Sequence, residues 1–239
     1  MAGCGGVKDF PKLYLIGDSN TQLAFSPKGF AAKLQECYVR KCDVLNRGFS
    51  GYTSQELLIM LPDLLEKDKA NGSIKIATLL LGSNDCVSKS LDVRHTSIPL
   101  YKDNMEKMIG ILRRNGIHNI VLIAPPPVDV QHWTKHMLET IGVSGGFEAD
   151  STNSKHYAKA CNEIAEKFPD VLFIDLYKET LLNENWKDLF YDGLHFSESG
   201  NQFVFEKIKE KIDPIMERLP MVYPDWKNID FNNREASLL

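Results

Sequence analysis

Four short segments, far apart in the chain, carry the residue types that nucleophilic hydrolysis of an ester requires. They are GDSN at 17–20, RGFSGYTS at 47–54, GSND at 82–85 and DGLH at 192–195. The first contains Ser19, and a serine hydroxyl needs an adjacent base, usually a histidine, to act as a nucleophile at neutral pH. The last contains His195 and also Asp192, a carboxylate that can hold the imidazole in one tautomer. We therefore predict that Ser19, Asp192 and His195 form a catalytic triad.

The two middle segments can stabilise the negative charge that develops on the carbonyl oxygen of an ester under attack. Gly51 can offer a backbone N–H at close approach, and Asn84 can offer a side-chain N–H. The backbone N–H of Ser19 is a third donor. Removing one donor of such an oxyanion hole typically costs about 3–4 kcal/mol. The prediction is an oxyanion hole made by Ser19, Gly51 and Asn84.

Each segment taken alone is also typical of a simple turn, because Gly, Asp, Asn and Ser are common turn residues. Their joint occurrence at strand ends and before the last helix favours a catalytic site. Asp18 and Asp85 are expected to accept hydrogen bonds from nearby backbone N–H groups and so to fix two of the turns. A direct supporting role for Asp85 stays open. Cys86 has no partner base of its own and is not favoured as a nucleophile.

Apolar runs separated by helical patterns predict the elements that must position these residues. The predicted strands are 13–16, 43–46, 76–81, 119–124 and 171–176. Their continuous apolar character suits a parallel sheet buried on both faces, and the alternation of strand and helix predicts a doubly wound α/β fold. Ligands of such sheets bind beyond the carboxyl ends of the strands. Among the helices, one is expected to begin at Pro27 with Ser26 as N-cap, and Pro62 is expected to kink or divide another.

The bulk composition argues against several classes of partner. The chain has 239 residues, a net charge of −4 and no block of Lys or Arg, which argues against a nucleic-acid or anionic-membrane surface. Its five cysteines include no C-x-x-C pair, so neither a disulfide framework nor a zinc ribbon is indicated. No apolar run has the length of a signal peptide or a membrane span, so a cytoplasmic location without integral membrane association is expected.

The alternation of elements has no break in composition and no internal repeat. We expect one domain over 1–239, with a core at about 11–219 and a C-terminal tail at 220–239. The sequence leaves open whether the chain forms a homo-oligomer.

A long segment after the fourth predicted strand, residues 125–152, is typical of a lid or binding loop. It contains three candidates for the apolar wall of a substrate pocket, for which packing in the core is an equal alternative: Trp133, Met137 and Leu138. His132 and His136 have the i, i+4 spacing of helical metal ligands. No third ligand is obvious, so no metal site is predicted.

Together, GDSN, SGYTS, GSND and DGLH resemble the four blocks of the GDSL/SGNH hydrolase family, over roughly residues 13–200. The RG-SGY stretch, the triple proline at 125–127 and the DGLHFS segment are most similar, within that family, to the isoamyl acetate-hydrolysing esterases. The resemblance implies the SGNH hydrolase fold, a flavodoxin-like three-layer α/β/α sandwich with a mostly parallel five-stranded sheet. It also implies hydrolysis of short acyl esters such as acetates, with a small ester and water as partners and without a metal or cofactor.

Two alternatives remain at this stage. The same residues could hydrolyse thioesters, lysophospholipids or acetylated sugars, because nothing in the sequence fixes the acyl length. In the second alternative the chain is a catalytically silent module that binds a small molecule, with the loop after the first strand cradling a phosphate. Against this, no second glycine follows in the spacing of a phosphate-binding loop, and a phosphate site has no use for Asp192 and His195.

Overall fold

The computed structural model describes residues 10–69, 73–143, 145–148 and 153–238. In these residues one five-stranded sheet forms the centre of the protein. Its strands are β1 (Lys12–Gly17), β2 (Asp43–Gly48), β3 (Ile74–Leu80), β4 (Asn119–Ile123) and β5 (Leu172–Ile174). Neighbouring strands are parallel throughout, in the order β2-β1-β3-β4-β5. This is the strand order of flavodoxin-like folds, so the predicted α/β class is confirmed.

Helices cover both faces of the sheet. In the described residues they are α1 (Ser19–Gln22), α2 (Phe30–Cys37), α3 (Ser54–Lys69), α4 (Ile98–Arg114), α5 (Val130–Ile141), α6 (Asn153–Lys167), α7 (Leu176–Leu181), α8 (Glu198–Met216) and α9 (Arg234–Leu238). Apolar side chains of α3, α4 and α6 pack in one core, and those of α2 and α8 pack in another. In β1, Tyr14 and Ile16 belong to the first core, whereas Leu13 and Leu15 belong to the second. Residues 13–16 therefore show no alternation of apolar and polar side chains, since both sides of the strand are covered.

Ser26 does not cap α2, contrary to the sequence-based expectation. Its carbonyl accepts a hydrogen bond from the Gly29 N–H at 2.8 Å, which closes a turn instead. Within this turn Lys28 has φ +64°, a conformation that a right-handed helix cannot include. The helix therefore begins at Phe30, with Gly29 as its N-cap.

Pro62 does not divide α3, which is one helix over Ser54–Lys69. Proline lacks the N–H for one helical hydrogen bond, and its ring crowds the preceding turn. However, Leu57, Leu61 and Leu65 lie along one face of α3 and are fully buried. Their packing against the core stabilises the helix through the proline.

The carboxyl ends of β1, β2 and β3 meet at one edge of the sheet. In the register of the sheet, Gly17 pairs with Gly48 on one side and with Leu80 on the other. The loops that follow these three strands therefore begin side by side. They carry the predicted site residues Ser19, Gly51 and Asn84.

The segment after β4 contains a helix of its own, α5. This helix begins after Asp129, whose carboxylate accepts a hydrogen bond from the backbone N–H of His132 at 3.4 Å. It ends at Gly142, which has φ +74°. The Trp133 indole N–H donates to the Gly145 carbonyl at 2.8 Å, so the chain after α5 folds back against the helix.

The C-terminal tail lies against the turn that contains Arg40. The Val222 N–H donates to the Arg40 carbonyl at 2.9 Å, and the Arg40 guanidinium donates to the carbonyls of Tyr223 and Pro224. Further along, α9 contains no buried residue. Neither α9 nor any other helix in the described part of the chain combines the length and apolar character needed to cross a membrane.

Candidate active site

Ser19, His195 and Asp192 form a continuous chain of hydrogen bonds. Oγ of Ser19 is 2.9 Å from Nε2 of His195, and Nδ1 of His195 is 2.6 Å from Oδ2 of Asp192. The first distance lies within the range that proton transfer from a nucleophile to its base requires, and the second is that of a hydrogen bond by which a carboxylate orients the base. The fold thus brings together a serine and a histidine that are 176 positions apart in the chain.

Ser19 lies at a sharp turn from strand to helix. β1 ends at Gly17, and α1 begins at Ser19. Asp18, between them, caps α1 by accepting a hydrogen bond from the Asn20 backbone N–H at 3.0 Å. The turn places the Ser19 side chain beyond the end of the sheet, where it meets His195, and places its backbone N–H in the first turn of α1.

Asn20 supports the site in a way that the sequence did not reveal. Its amide joins the Ser19 turn to the loop of His195: Nδ2 donates to the Leu194 carbonyl and Oδ1 accepts from the Phe196 N–H, each at 3.3 Å. Both chain neighbours of His195 are therefore held by the residue that follows Ser19. The signal in the sequence was an amide, which can donate and accept at once, directly after the predicted nucleophile.

Asp192 bonds both to the backbone of its own loop and to the imidazole. Its Oδ1 accepts hydrogen bonds from the N–H groups of Leu194 (2.9 Å) and His195 (2.7 Å), while Oδ2 faces the ring. Burial alone would raise the pKa of Asp192, but the hydrogen bonds from His195 and the two N–H groups outweigh it, and the pKa lies below its usual value. An ionised carboxylate facing Nδ1 favours the tautomer with the ring proton on Nδ1, and in that tautomer Nε2 is an acceptor for a serine hydroxyl.

Gly193 allows the loop that carries His195 to pack directly against α5. Its φ is +94°, and a Cβ at this position would stand 2.5 Å from the Asp129 carbonyl oxygen and 2.7 Å from the backbone nitrogen of Trp133. The Asp129 N–H donates to the Gly193 carbonyl at 2.9 Å. Because a larger residue would separate the two backbones, the glycine keeps this loop in close contact with α5.

Two aromatic rings contact the imidazole of His195. Trp133 meets it edge-on, with ring centroids 5.6 Å apart, and Tyr191 stacks on it with centroids 5.8 Å apart. Trp133 is 8% exposed, whereas Tyr191 is 54% exposed. The imidazole is thus bordered by the core on one side and by a surface aromatic ring on another, and both contacts restrict its rotation.

The predicted oxyanion donors lie on loops that are hydrogen-bonded to each other. The Phe49 N–H donates to the Gly17 carbonyl at 2.9 Å, and Nδ2 of Asn84 donates to the Tyr52 carbonyl at 2.9 Å. These bonds connect the loop after β2 with the end of β1 and with the loop after β3. Gly51 has φ +80°, and apart from its chain neighbours no described residue comes within 4 Å of the place of a Cβ. Its backbone is therefore open to an approaching ligand.

Asp85 and Asp18 hold the turns beneath these donors. Asp85 accepts hydrogen bonds from the Ser54 N–H (3.1 Å) and from the Ser54 hydroxyl (2.6 Å), and the Asn104 amide donates to the same hydroxyl at 3.0 Å. Both carboxyls thus bond backbone N–H groups, as their expected turn-fixing role requires. Burial raises the pKa of each to about 6.

The raised pKa of Asp18 predicts a pH-dependent gain in stability on replacing it by asparagine. Because its folded pKa of about 6 exceeds the ordinary value of 3.8, the stability that Asp18 contributes is present below pH 4 and lost as pH rises through 6. Asp18→Asn keeps the acceptor for the Asn20 N–H but cannot ionise. We expect the mutant to gain about 1–3 kcal/mol over wild type between pH 4 and pH 7. Urea unfolding at both pH values measures this, and an equal difference at both would contradict it.

Of the three candidates for a pocket wall, Trp133 and Met137 lie one turn apart on the same face of α5, and Leu138 lies on another. Trp133 contacts His195, and Met137, one turn later, is half-buried against the core. Leu138 is 54% exposed and lines an open cavity of about 490 Å³. The described residues lining that cavity all belong to α5, and none is a triad residue. Trp133 thus contacts a triad residue, whereas the cavity that Leu138 borders has none among its described lining residues.

The sequence offers three other reactive side chains, Cys86, His132 and His136, and the structure gives each its own surroundings. Cys86 is fully buried, and burial raises the pKa of its thiol, which keeps it protonated. His132 and His136 belong to no cluster of three or more His, Cys, Asp or Glu within the described ranges. His136 instead stacks on Trp133, with ring centroids 6.0 Å apart.

A parallel α/β sheet with a serine–histidine–aspartate relay at its carboxyl edge is the arrangement of hydrolases that use a serine nucleophile. The family model described as GDSL-like lipase/acylhydrolase matches residues 15–203. The chain therefore belongs to the GDSL-like lipase/acylhydrolase family.

Two relatives and one solved structure extend this comparison. The chain is 34% identical to a human protein named isoamyl acetate-hydrolyzing esterase 1 homolog, over 100% of this chain and 96% of the relative. It is 30% identical to isoamyl acetate-hydrolyzing esterase of Saccharomyces cerevisiae, over 92% of this chain and 96% of the relative. The crystal structure of a lipase/acylhydrolase from Enterococcus faecalis is 22% identical, with a TM-score of 0.65 over 89% of this chain and 98% of that one. This last likeness confirms the three-layer fold.

Proposed function

We propose that the protein is a serine esterase that hydrolyses short-chain carboxylic esters through an acyl-enzyme intermediate. The single observation that carries the proposal is the hydrogen-bonded relay from Asp192 through His195 to Ser19. In this relay the carboxylate is ionised, the imidazole is held in one orientation, and the hydroxyl points at the basic nitrogen. These are the three conditions for activating a serine at neutral pH.

Acylation begins when Oγ of Ser19 attacks the ester carbonyl carbon and Nε2 of His195 takes the hydroxyl proton. The new bond makes the carbonyl oxygen an oxyanion, and the adjacent Asp192 carboxylate stabilises the imidazolium. This tetrahedral intermediate then collapses: the oxyanion re-forms the carbonyl, the bond from the carbon to the alkoxide oxygen breaks, and this oxygen takes the proton from His195 and departs as the alcohol. Ser19 remains as the acyl ester.

Deacylation repeats these steps with water in place of the serine. His195 takes one proton from a water molecule, whose oxygen attacks the acyl carbon. Collapse of the second tetrahedral intermediate breaks the bond to Oγ of Ser19, and the imidazolium returns the proton to this oxygen. The products are the carboxylic acid, the alcohol and unchanged enzyme, so water is the second substrate.

The oxyanion is stabilised in this proposal by the backbone N–H groups of Ser19 and Gly51 and by the side-chain N–H of Asn84. The hydrogen bonds between their loops support this assignment, because donors that are already fixed need no reorganisation as charge develops. The open backbone of Gly51 supports it as well, since an approaching oxygen meets no side chain there.

The substrate class rests on the relatives and on the surroundings of the triad. Two relatives that align over most of this chain are named for the hydrolysis of isoamyl acetate, an ester of a short acid and a small branched alcohol. The exposed ring of Tyr191 beside His195 offers apolar surface to a small alcohol or acyl group, and the buried ring of Trp133 borders the imidazole from the core. We propose acetate-type esters of small alcohols as the substrates.

Intact-mass measurement after treatment with a fluorophosphonate, followed by an ester panel, tests the proposal. We expect one adduct on the wild-type protein and the highest kcat/KM for acetates in a series from acetate to octanoate. A lysophospholipid, an acyl thioester and an acetylated sugar complete the panel and test the alternative substrate classes. A folded wild-type protein without adduct and without ester hydrolysis would overturn the proposal in favour of a silent binding module.

A further inference from the structure

The side-chain amide of Asn84 is held between two partners of opposite character. Its Nδ2 donates to the Tyr52 carbonyl at 2.9 Å, and its Oδ1 accepts from Nη1 of Arg94 at 3.0 Å. A guanidinium only donates and a carbonyl only accepts, so a flipped amide would face a donor with its N–H groups and an acceptor with its oxygen. The two partners together therefore fix which way the amide points.

Arg94 is itself held by an acidic partner in the same loop. Its Nε lies 3.0 Å and 3.1 Å from the two carboxylate oxygens of Asp92, and Nη2 also donates to this carboxylate. The Asp92 carboxylate accepts the Arg94 backbone N–H as well, at 2.9 Å. The contacts of Nε and Nη2 with Asp92 hold the guanidinium in one orientation, although the arginine side chain is long and flexible. In that orientation Nη1 is directed at Asn84.

The loop between β3 and α4 folds so that Arg94 returns to the residue it supports. The Asp92 N–H donates to the Ser88 carbonyl at 3.0 Å, and the Thr96 N–H donates to the Asp85 carbonyl at 3.0 Å. The bond from Thr96 to Asp85 closes the loop next to Asn84, because Asp85 directly follows Asn84 in the chain. The Ser88 N–H also donates to the Gly146 carbonyl at 2.8 Å, which ties the loop to the segment after α5. Arg94 is thus presented to Asn84 by a compact loop with close ends.

We propose that Arg94 is a positioning residue for the oxyanion hole and acts through the amide of Asn84. The proposal rests on the function proposed above. One hydrogen of Nδ2 is used on Tyr52, and Arg94 keeps the other directed at the developing oxyanion. A charged donor on Oδ1 also draws electron density from the amide nitrogen, which makes its N–H groups better donors. Arg94 thereby stabilises the transition state without touching the substrate.

A double-mutant cycle tests this role. The variants are Arg94→Ala, Asn84→Ala and the double mutant, and Arg113→Ala is the matched control, because it also removes an arginine paired with an aspartate, Asp170, far from the site. We expect Arg94→Ala to lower kcat by about 10-fold with KM nearly unchanged, and Asn84→Ala to lower it by about 10²–10³-fold. The double mutant should be no slower than Asn84→Ala, within about 3-fold, because two residues that act as one unit are not additive.

Three results would overturn the inference, and one would overturn the proposed function instead. If Arg94→Ala has the kcat of the wild type, Arg94 has no role in catalysis. An Arg94→Ala effect of equal size in the Asn84→Ala background shows that Arg94 acts on its own, through substrate or through the fold. A similar loss of kcat in Arg113→Ala shows a general effect of losing an ion pair. Wild-type protein that hydrolyses no ester and takes up no fluorophosphonate refutes the proposed function.

Discussion

Ser19→Ala is expected to lower kcat for ester hydrolysis by about 10⁴–10⁶-fold, because no other group in the proposed site can form the acyl-enzyme. The mutation removes one oxygen atom, which forms a hydrogen bond to Nε2 of His195 at 2.9 Å. Ser19 is 5% exposed, and alanine fits the space that it leaves. The fold should therefore persist while the nucleophile is lost. Steady-state hydrolysis of a chromogenic acetate and labelling by a fluorophosphonate measure the two effects.

Ser199→Ala is the matched control for this prediction. Ser199 is exposed at the start of α8, and among the contacts described its hydroxyl bonds to the Ser197 hydroxyl at 2.9 Å and to the Asp188 carbonyl at 3.0 Å, neither of which belongs to the triad. The control should hydrolyse and be labelled like the wild type. If Ser19→Ala kept the rate and the adduct of the wild type, another residue would be the nucleophile and the assignment of the triad would fail.

Asp192→Asn is expected to lower kcat by about 10⁴-fold while the loop keeps its shape. Oδ1 of the asparagine can still accept the N–H groups of Leu194 and His195, which are 2.9 Å and 2.7 Å from the present oxygen. The new NH₂ group, however, stands where Oδ2 accepts from the imidazole at 2.6 Å. Nδ1 must then become the acceptor, the ring proton moves to Nε2, and His195 can no longer take the proton of Ser19.

The tautomer gives this prediction a readout beyond the rate. The ¹⁵N chemical shifts of the His195 ring should place the proton on Nδ1 in the wild type and on Nε2 in the mutant. Asp188→Asn, an exposed aspartate four positions earlier, is the control and should alter neither the rate nor the shifts. A mutant that lost activity with the proton still on Nδ1 would show that Asp192 acts by some other route.

The strands could be predicted from the sequence because burial on both faces leaves continuous apolar runs. Every predicted strand overlaps an observed one, and the ends differ for local reasons. The run at 171–176 predicts a strand that ends later than β5, which stops at Ile174. Asp175 ends it by accepting the Lys178 N–H at 3.0 Å, which begins α7. The side chain of Asp175 can act as a helix cap only where the tertiary structure lets the chain turn away from the sheet, and the apolar run does not encode that position.

The site could be predicted only where a residue type itself implies chemistry. Ser19, Asp192 and His195 are recognisable because a relay needs those side chains, and because Ser19 comes just after a strand while Asp192 and His195 precede the last long helix. Arg94 carries no such signal: its contact with Asn84 depends on the path of a whole loop, which hydrophobic pattern does not specify. The same holds for Asn20, because its amide acts by bonding to two backbone groups that are 174 and 176 positions away in the chain.

The shared backbone contact between Gly193 and α5 has a consequence for how the enzyme can diversify. The Asp129 N–H binds the Gly193 carbonyl, and Trp133 in the same helix borders the imidazole. On the proposed mechanism, the helix that can shape the space for the alcohol or acyl group also holds the general base. A substitution in this helix would then affect both the range of substrates and the rate of turnover. A homologue with a smaller residue than Trp133 would also need a change in the loop of His195 to keep the imidazole in place. Substitutions on the exposed face around Leu138 would need no such second change.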